Sequence, residues 1–257
     1  MTTEHHDPSI AAREYFPRGL FQPEGTFRFS MDALLLARFA HAPKHTTAYD
    51  LGAGCGIIGL TMLLDSNALS VTGIELQSEL VDAARQNANH LGLSHRYTCI
   101  QTDLSTIKHS GCPPESADIV VSNPPYRRKN QGRHAATTER TCALFETEGA
   151  LPAFISAGAF LVKNKGLFAC IFPTERLDEL LNTCRDYNLT PKRLRCIHSK
   201  ADKNSTLILL EARKNGNCGL TVEPPLVLYK GTGAETALTD EALAFCPYLQ
   251  CNARGRQ

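Results

Sequence analysis

The stretch Ala-Tyr-Asp-Leu-Gly-Ala-Gly-Cys-Gly-Ile-Ile-Gly, residues 48–59, decides the fold. Residues 48–51 are typical of a short buried strand, and a helix is predicted to begin at Ile57, directly after three spaced glycines. A strand, a glycine turn and a helix N-terminus together present backbone N–H groups to one end of a ligand. This stretch therefore predicts a binding turn at the carboxyl end of a β-strand.

Strands and helices alternate along the chain after this turn. Strands are predicted at 71–74, 97–101, 118–122, 166–172, 193–198 and 206–212, and helices at 31–40, 78–90, 154–161 and 177–187. Such alternation is typical of a mostly parallel sheet with helices on both faces. We predict an α/β fold with an N-terminal arm at 1–26, one main domain at 27–213, and a small C-terminal extension at 214–257 that packs on it.

The composition excludes several classes of protein. With 257 residues, 42% apolar and 21% charged, the chain is neither collagen-like, nor a coiled coil, nor disordered. A net charge of +1 means that nucleic-acid binding would depend on local basic patches. The N-terminus is polar and no long apolar run occurs, so we expect a cytoplasmic protein without membrane contact. The ten cysteines lack metal-binding spacing, so we expect reduced thiols and no metal.

Acidic residues stand at the ends of three predicted strands. They are Asp50, Glu75 and Asp103, and the parallel topology would bring them to one edge of the sheet. Two ligands remain open at this point. Gly54–Gly59 with Glu75 fits the fingerprint of a nicotinamide dinucleotide, and therefore an oxidoreductase.

Asp50 favours the second ligand, S-adenosylmethionine (SAM). Its carboxylate would repel a pyrophosphate but attract the cationic methionine end of SAM. Glu75 could accept hydrogen bonds from both ribose hydroxyls, and Asp103 could accept one from the adenine amino group. Close backbone approach would come from the glycines of the turn, Gly52, Gly54 and Gly56.

The tetrapeptide Asn123-Pro124-Pro125-Tyr126 follows the strand at 118–122, so it is expected at the same edge as the glycine turn. A conjugated amino nitrogen is a poor nucleophile because its lone pair is delocalised. If the Asn123 side-chain oxygen and the Pro124 carbonyl each accept one of its hydrogens, the lone pair can point at a methyl donor. Tyr126 could stack on a planar substrate. We predict methyl transfer at this turn.

With both motifs present, the chain resembles the class I SAM-dependent methyltransferases that carry an Asn-Pro-Pro-Tyr motif, and among them the bacterial tRNA(Val) adenine-N6 methyltransferase family. The resemblance covers roughly residues 20–245 and includes the segments 27–37, 73–77, 173–177 and 226–229. It implies a Rossmann-like, seven-stranded sheet whose last strand is antiparallel. It also implies that Ser30 and Asp32 approach the methionine end of SAM. We also expect Asn123 to line the cofactor site.

The predicted function is N6 methylation of an adenine in RNA, in particular tRNA. Phosphates would be neutralised by a basic cluster just after the tetrapeptide, comprising Arg127, Arg128, Lys129 and Arg133. A second cluster, Lys192, Arg193, Arg195, Lys200 and Lys203, is more typical of a solvated surface. Three alternatives remain open: a protein glutamine N5 methyltransferase, a nicotinamide-dependent oxidoreductase, and a SAM-binding regulator without catalysis.

Overall fold

The computed structural model describes residues 8–26, 28–40, 46–125, 127–128, 145–146 and 150–252. Its centre is one large sheet. The main strands are β1 (Thr46–Leu51), β2 (Leu69–Glu75), β3 (Tyr97–Gln101) and β4 (Ala117–Ser122), then, after the two-residue strands β5 (Arg127–Arg128) and β6 (Phe145–Glu146), β7 (Val162–Pro173), β8 (Leu189–His198) and β9 (Ser205–Lys214). Further short strands are β10 (Thr221–Val222), β11 (Leu226–Val227), β12 (Tyr229–Lys230) and β13 (Ala237–Leu238).

The seven long strands lie in the order β3-β2-β1-β4-β7-β9-β8. All the pairs from β3 to β7 are parallel, and β9 is antiparallel to both of its neighbours. The predicted α/β fold with an antiparallel last strand is therefore confirmed. The strand count of the sheet is nine, because β10 and β11 both pair with the outer edge of β8. Pro224 and Pro225 stand between these two short strands.

Helices cover both faces of the sheet. Their bounds are α1 (Pro8–Tyr15), α2 (Met31–Phe39), α3 (Ile57–Asp65), α4 (Ser78–His90), α5 (Ala150–Leu161), α6 (Leu177–Asp186) and α7 (Asp240–Phe245), with 3-10 helices at Leu104–His109, Thr174–Arg176, Gly233–Glu235 and Pro247–Asn252. One apolar core lies under α2, α3 and α4, and a second lies under α5 and α6. Strands buried on both faces, such as β4 with Ile119, Val120 and Val121, explain the continuous apolar runs in the sequence.

The two ends of the described chain lie against the same side of the domain. Arg13 of α1 donates to the carbonyl of Leu91 at 2.8 Å, just after α4. The ring of Phe16 meets that of Tyr248 edge to face, with centroids 5.1 Å apart. Arg38 of α2 pairs with Asp65 at 2.6 Å and also donates to the carbonyl of α7's last residue. These contacts connect both termini to α2, α3 and α4.

The second basic cluster has its own partners within the chain. Arg193 pairs with Glu211 at 3.1 Å and lies over the Phe39 ring, and Arg195 pairs with Glu241 at 2.7 Å. These two arginines connect β8 to β9, α2 and α7. The charges of Arg193 and Arg195 are thus paired within the protein and not simply solvated.

No helix in the described part of the chain is both long and apolar enough to cross a membrane. The nine cysteines at described positions are free, and six of them are buried. Among the same residues no cluster of three or more His, Cys, Asp or Glu side chains could hold a metal ion.

Candidate functional site

The candidate site lies where the strand order reverses. The chain leaves β1 toward β2 and β3 on one side and returns with β4 on the other side. In parallel sheets, the crevice at the carboxyl ends of the two strands at such a switch point is the usual ligand position. Here the two strand ends are held in register, with Leu51 opposite Ser122, and the Ser122 hydroxyl donates to the Leu51 carbonyl at 3.3 Å.

The glycine turn after β1 depends on left-handed backbone conformations. Gly52, Gly54 and Gly56 all have positive φ, and Gly56 is the residue that precedes α3. The N–H groups of Gly52 and Ala53 both donate to the Ile74 carbonyl, at 2.8 and 3.0 Å. A Cβ placed on Gly54 would meet no atom of the described chain within 4 Å. The turn is thus anchored on the β2 side and open at Gly54.

A buried tyrosine lies behind the turn. A Cβ on Gly73 would stand 2.7 Å from the Tyr97 hydroxyl oxygen, and one on Gly59 would stand 2.8 Å from the Tyr97 ring. These glycines therefore make room for Tyr97 between α3 and the sheet. The sequence offered no signal for this role beyond the presence of glycine inside a strand and a helix.

Glu75 is the residue that holds the turn to β2. One carboxylate oxygen accepts the Gly54 N–H at 2.8 Å, and the other accepts the N–H groups of Leu76 and Gln77 at 2.8 and 3.0 Å. Burial raises the pKa of Glu75, and these three hydrogen bonds oppose the rise. The carboxylate thus has a structural task that the sequence analysis missed.

Asp50 is fully buried at the end of β1. Its Oδ2 accepts the N–H of Gly59, in the first turns of α3, at 3.1 Å. Its Oδ1 has no hydrogen-bond partner among the described residues. Burial raises the pKa of Asp50 to about 7, and the nearby Glu75 charge adds to the rise. One oxygen of this buried carboxyl group is therefore left without a hydrogen-bond donor among the described residues.

Asn123 directly follows β4, one residue beyond the pair formed by Ser122 and Leu51. Its side-chain oxygen is buried and makes no hydrogen bond to any described residue. Pro124 is buried next to it. The structure thus places Asn123 and Pro124 at the same strand ends as Asp50. Tyr126 lies outside the described residues.

The remaining residues predicted to contact the cofactor are Ser30, Asp32 and Asp103, and they differ in burial and in hydrogen bonding. Ser30 occupies the residue before α2, but its hydroxyl makes no capping hydrogen bond; its Oγ is buried without a described partner. Asp32 lies half-buried in the first turn of α2. Asp103 is exposed after β3, where one carboxylate oxygen accepts the Ser105 N–H at 2.8 Å and caps the 3-10 helix. This leaves its second oxygen at the surface.

Two apolar side chains at the site escaped the sequence analysis. Leu76, next to Glu75, is 57% exposed, which is unusual for a leucine at a strand end. Phe154 of α5 lies against the turn, because a Cβ on Gly52 would come within 3.0 Å of its ring. The position of Leu76 directly after a strand-end acid was the available signal, whereas the contact of Phe154 depends on tertiary packing.

The first basic cluster is only partly within the described chain. Arg127 and Arg128 form β5, which pairs in parallel with β6. Their side chains, and the whole of Lys129 and Arg133, lie outside what the structure describes. Their predicted contact with RNA stays a prediction.

Three buried oxygens at these positions lack partners in the described chain: Ser30 Oγ, Asp50 Oδ1 and Asn123 Oδ1. An unsatisfied buried polar atom costs about 1–3 kcal/mol, so three of them among the predicted site residues call for an explanation. All three can accept hydrogen bonds. Donors on a cationic ligand and on a substrate amino group would satisfy them. The residues present therefore fit SAM and an amine.

Comparison with known proteins agrees with this chemistry. The methyltransferase small domain family matches residues 30–152. A tRNA1(Val) (adenine(37)-N6)-methyltransferase of Porphyromonas gingivalis is 30% identical over 193 residues, covering 72% of this chain and 74% of the relative. The chain belongs to the class I SAM-dependent methyltransferases, in the family of this relative. Its membership decides between the two ligands that the glycine turn left open, and the cofactor of this methyltransferase is SAM.

Further relatives give the same result for this methyltransferase. An enzyme of the same name from a Flavobacteriaceae bacterium is 23% identical, covering 79% of this chain and 84% of its own. The crystal structure of a predicted O-methyltransferase from Agrobacterium tumefaciens has a TM-score of 0.69 at 22% identity, covering 85% of this chain and 96% of that one. That likeness confirms the fold.

The role of Glu75 in the turn can be tested without any ligand. Glu75→Ala would leave three backbone N–H groups without their acceptor, so we expect the free energy of unfolding to fall by about 1.5–3 kcal/mol. Urea unfolding of the ligand-free protein measures this change. Asp82→Ala, at an exposed acid on α4, is the control and should stay within about 0.5 kcal/mol of wild type. Equal stability of the two variants would contradict the role.

Proposed function

We propose that this enzyme methylates the N6 amino group of an adenine in tRNA. The observation that carries the proposal is the buried side-chain oxygen of Asn123, which has no partner among the described residues and follows the strand that pairs with Asp50. An acceptor in this position suits an NH2 group on a planar substrate. The names of the relatives supply the substrate class, since they act on adenine 37 of tRNA1(Val).

Different residues of the proposed cofactor site suit different parts of SAM. Asp50 is proposed to face the cationic methionine end, with Ser30 and Asp32 beside it. Glu75 keeps one lone pair free after its three backbone hydrogen bonds, and this can accept from a ribose hydroxyl. Asp103 can accept from the adenine amino group, and the exposed side chain of Leu76 offers apolar surface to the ring. When bound, SAM supplies an electrophilic methyl group.

Asn123 and Pro124 are proposed to activate the substrate amine. The Asn123 side-chain oxygen accepts one amino hydrogen and the Pro124 carbonyl accepts the other, which favours a nitrogen whose lone pair is free to react. Because the methylated nitrogen carries a positive charge, it loses its proton to solvent without a strong base. A base inside an RNA stem would have to leave its stack to reach this turn.

Methylation of defined RNA tests the proposed function. A tRNA1(Val) transcript with adenine at position 37 and the same transcript with guanine there are incubated with enzyme and SAM, and the nucleosides are analysed by mass spectrometry. We expect N6-methyladenosine only from the adenine transcript. Methyl transfer to glutamine in a peptide, with none to either RNA, would overturn the proposal in favour of the protein methyltransferase alternative.

Asn123→Ala separates chemistry from cofactor binding. Loss of the acceptor for the amino group should reduce the turnover number at least about 100-fold, an effect similar to that of removing one transition-state hydrogen bond. Since Asn123 is not assigned to the cationic end of SAM, affinity for SAM should stay within about twofold. Turnover is followed with labelled SAM, and affinity is measured by calorimetry. Parallel loss of both quantities would show that Asn123 is needed for cofactor binding.

Asp50 should make SAM binding depend on pH. With a pKa of about 7, the Asp50 carboxyl is mostly neutral at lower pH and becomes a carboxylate as pH rises. The cationic end of SAM prefers the carboxylate, so affinity should increase about tenfold between about pH 6 and about pH 8, with proton release on binding near neutrality.

Calorimetry at several pH values, in buffers with different ionisation enthalpies, measures both effects. Asp50→Asn is the control, because it keeps the shape of the side chain and removes its titration. An affinity for SAM that is the same in wild type at all pH values would contradict the assignment of Asp50 to the cationic end.

A further inference from the structure

Asn87 is a buried polar residue on the apolar face of α4. It is 1% exposed and lies among Ala83, Ala84 and Ala88, which pack against the core. Its Oδ1 accepts the Phe21 N–H at 2.7 Å, and its Nδ2 donates to the Phe21 carbonyl and to the Cys55 carbonyl, both at 2.9 Å. Both amide hydrogens are therefore used, and the amide fits in one orientation only.

One of these bonds reaches the glycine turn. Cys55 stands between Gly54 and Gly56, and its carbonyl accepts a hydrogen from the Asn87 amide. On the opposite side of the turn, Glu75 accepts the Gly54 N–H. The peptide groups of the turn are thus held from two directions. Without Asn87 the Cys55 carbonyl would lose its partner, and a buried carbonyl favours a conformation that finds another.

The other two bonds reach the N-terminal arm. They bracket both backbone groups of Phe21, in the way that neighbouring strands pair. A cavity of about 520 Å³ is lined by residues 19–22 of the arm and by Gln86, Asn87 and His90 of the helix. One residue further on, Gln22 accepts the Phe29 N–H at 3.2 Å, directly before Ser30. Asn87 therefore sets where the chain enters Ser30 and α2.

We propose that Asn87 is a positioning residue for SAM. It fixes the glycine turn and the segment that leads to Ser30 relative to each other, so that the two sides of the cofactor site keep one spacing. The proposal rests on the SAM cofactor and is independent of the RNA substrate. Asn87 itself is not assigned any contact with SAM.

Four variants test this role by calorimetric titration with SAM alone. Asn87→Ala removes all three hydrogen bonds. Phe21→Pro removes the N–H that Asn87 accepts, at an exposed part of the arm, and Phe21→Ala, which keeps that N–H, controls for the loss of the phenyl ring. Asn89→Ala is the matched control, because Asn89 is an exposed asparagine on the same helix. Thermal unfolding of each variant fixes a temperature at which it is folded, and all titrations are made at that temperature.

We expect Asn87→Ala to bind SAM about tenfold more weakly than wild type, or about 1.4 kcal/mol, and Phe21→Pro about threefold more weakly. The KM for SAM should rise accordingly, while kcat at saturating SAM stays within about twofold. Asn89→Ala should match wild type in both measurements.

A folded Asn87→Ala protein with wild-type affinity for SAM would overturn the proposal, even if its unfolding temperature were lower, because the residue would then be merely structural. If Asn87→Ala does not fold, Phe21→Pro decides: weaker binding supports the proposal and wild-type binding overturns it. Failure of the RNA assay would leave these results unaffected, because they require only the cofactor.

Discussion

The carboxylate of Glu75 is the constraint on which the site depends. Three backbone N–H groups from two segments converge on it, one from the glycine turn and two from the chain that leaves β2. A buried carboxylate is expensive unless such donors surround it, and donors in a tight turn are equally expensive without an acceptor. Here the three N–H groups supply the donors that the carboxylate needs, and the carboxylate supplies their acceptor. The left-handed glycines allow the turn to reach the carboxylate, so the acid and the glycines form one unit.

Several buried polar atoms of the site have no hydrogen-bond partner in the described chain. They include one oxygen each of Ser30, Asp50 and Asn123. Folding energy from the two apolar cores sustains this arrangement. The unsatisfied oxygens lie on different elements, α2, β1 and the end of β4, so the site is assembled only in the folded state. Its polarity is matched to ligands that bring donors and positive charge.

Much of this could be predicted from the sequence, because the responsible signals are local. Strand-end acids, spaced glycines and apolar runs placed Asp50, Glu75 and Asn123 at one edge of the sheet. The bond from Gly54 to Glu75, the packing of Tyr97 and the hydrogen bonds of Asn87 could not be predicted, since each joins residues that are distant in sequence. Ser30 shows that a local signal can also mislead. A serine directly before a helix commonly caps it, but the Ser30 hydroxyl makes no capping hydrogen bond. The antiparallel β9 followed from family resemblance and not from residue patterns.

The outer edge of β8 has a consequence for how copies of the enzyme can associate. At Arg193, Leu194, Ile197 and His198 this edge is paired with β10 and β11, and the two prolines between these strands have no N–H to offer. A further strand from another molecule would find no continuous ladder there, so growth of the sheet from one copy into the next is blocked on this flank. The extension after β9 therefore protects this flank of the sheet against edge-to-edge association.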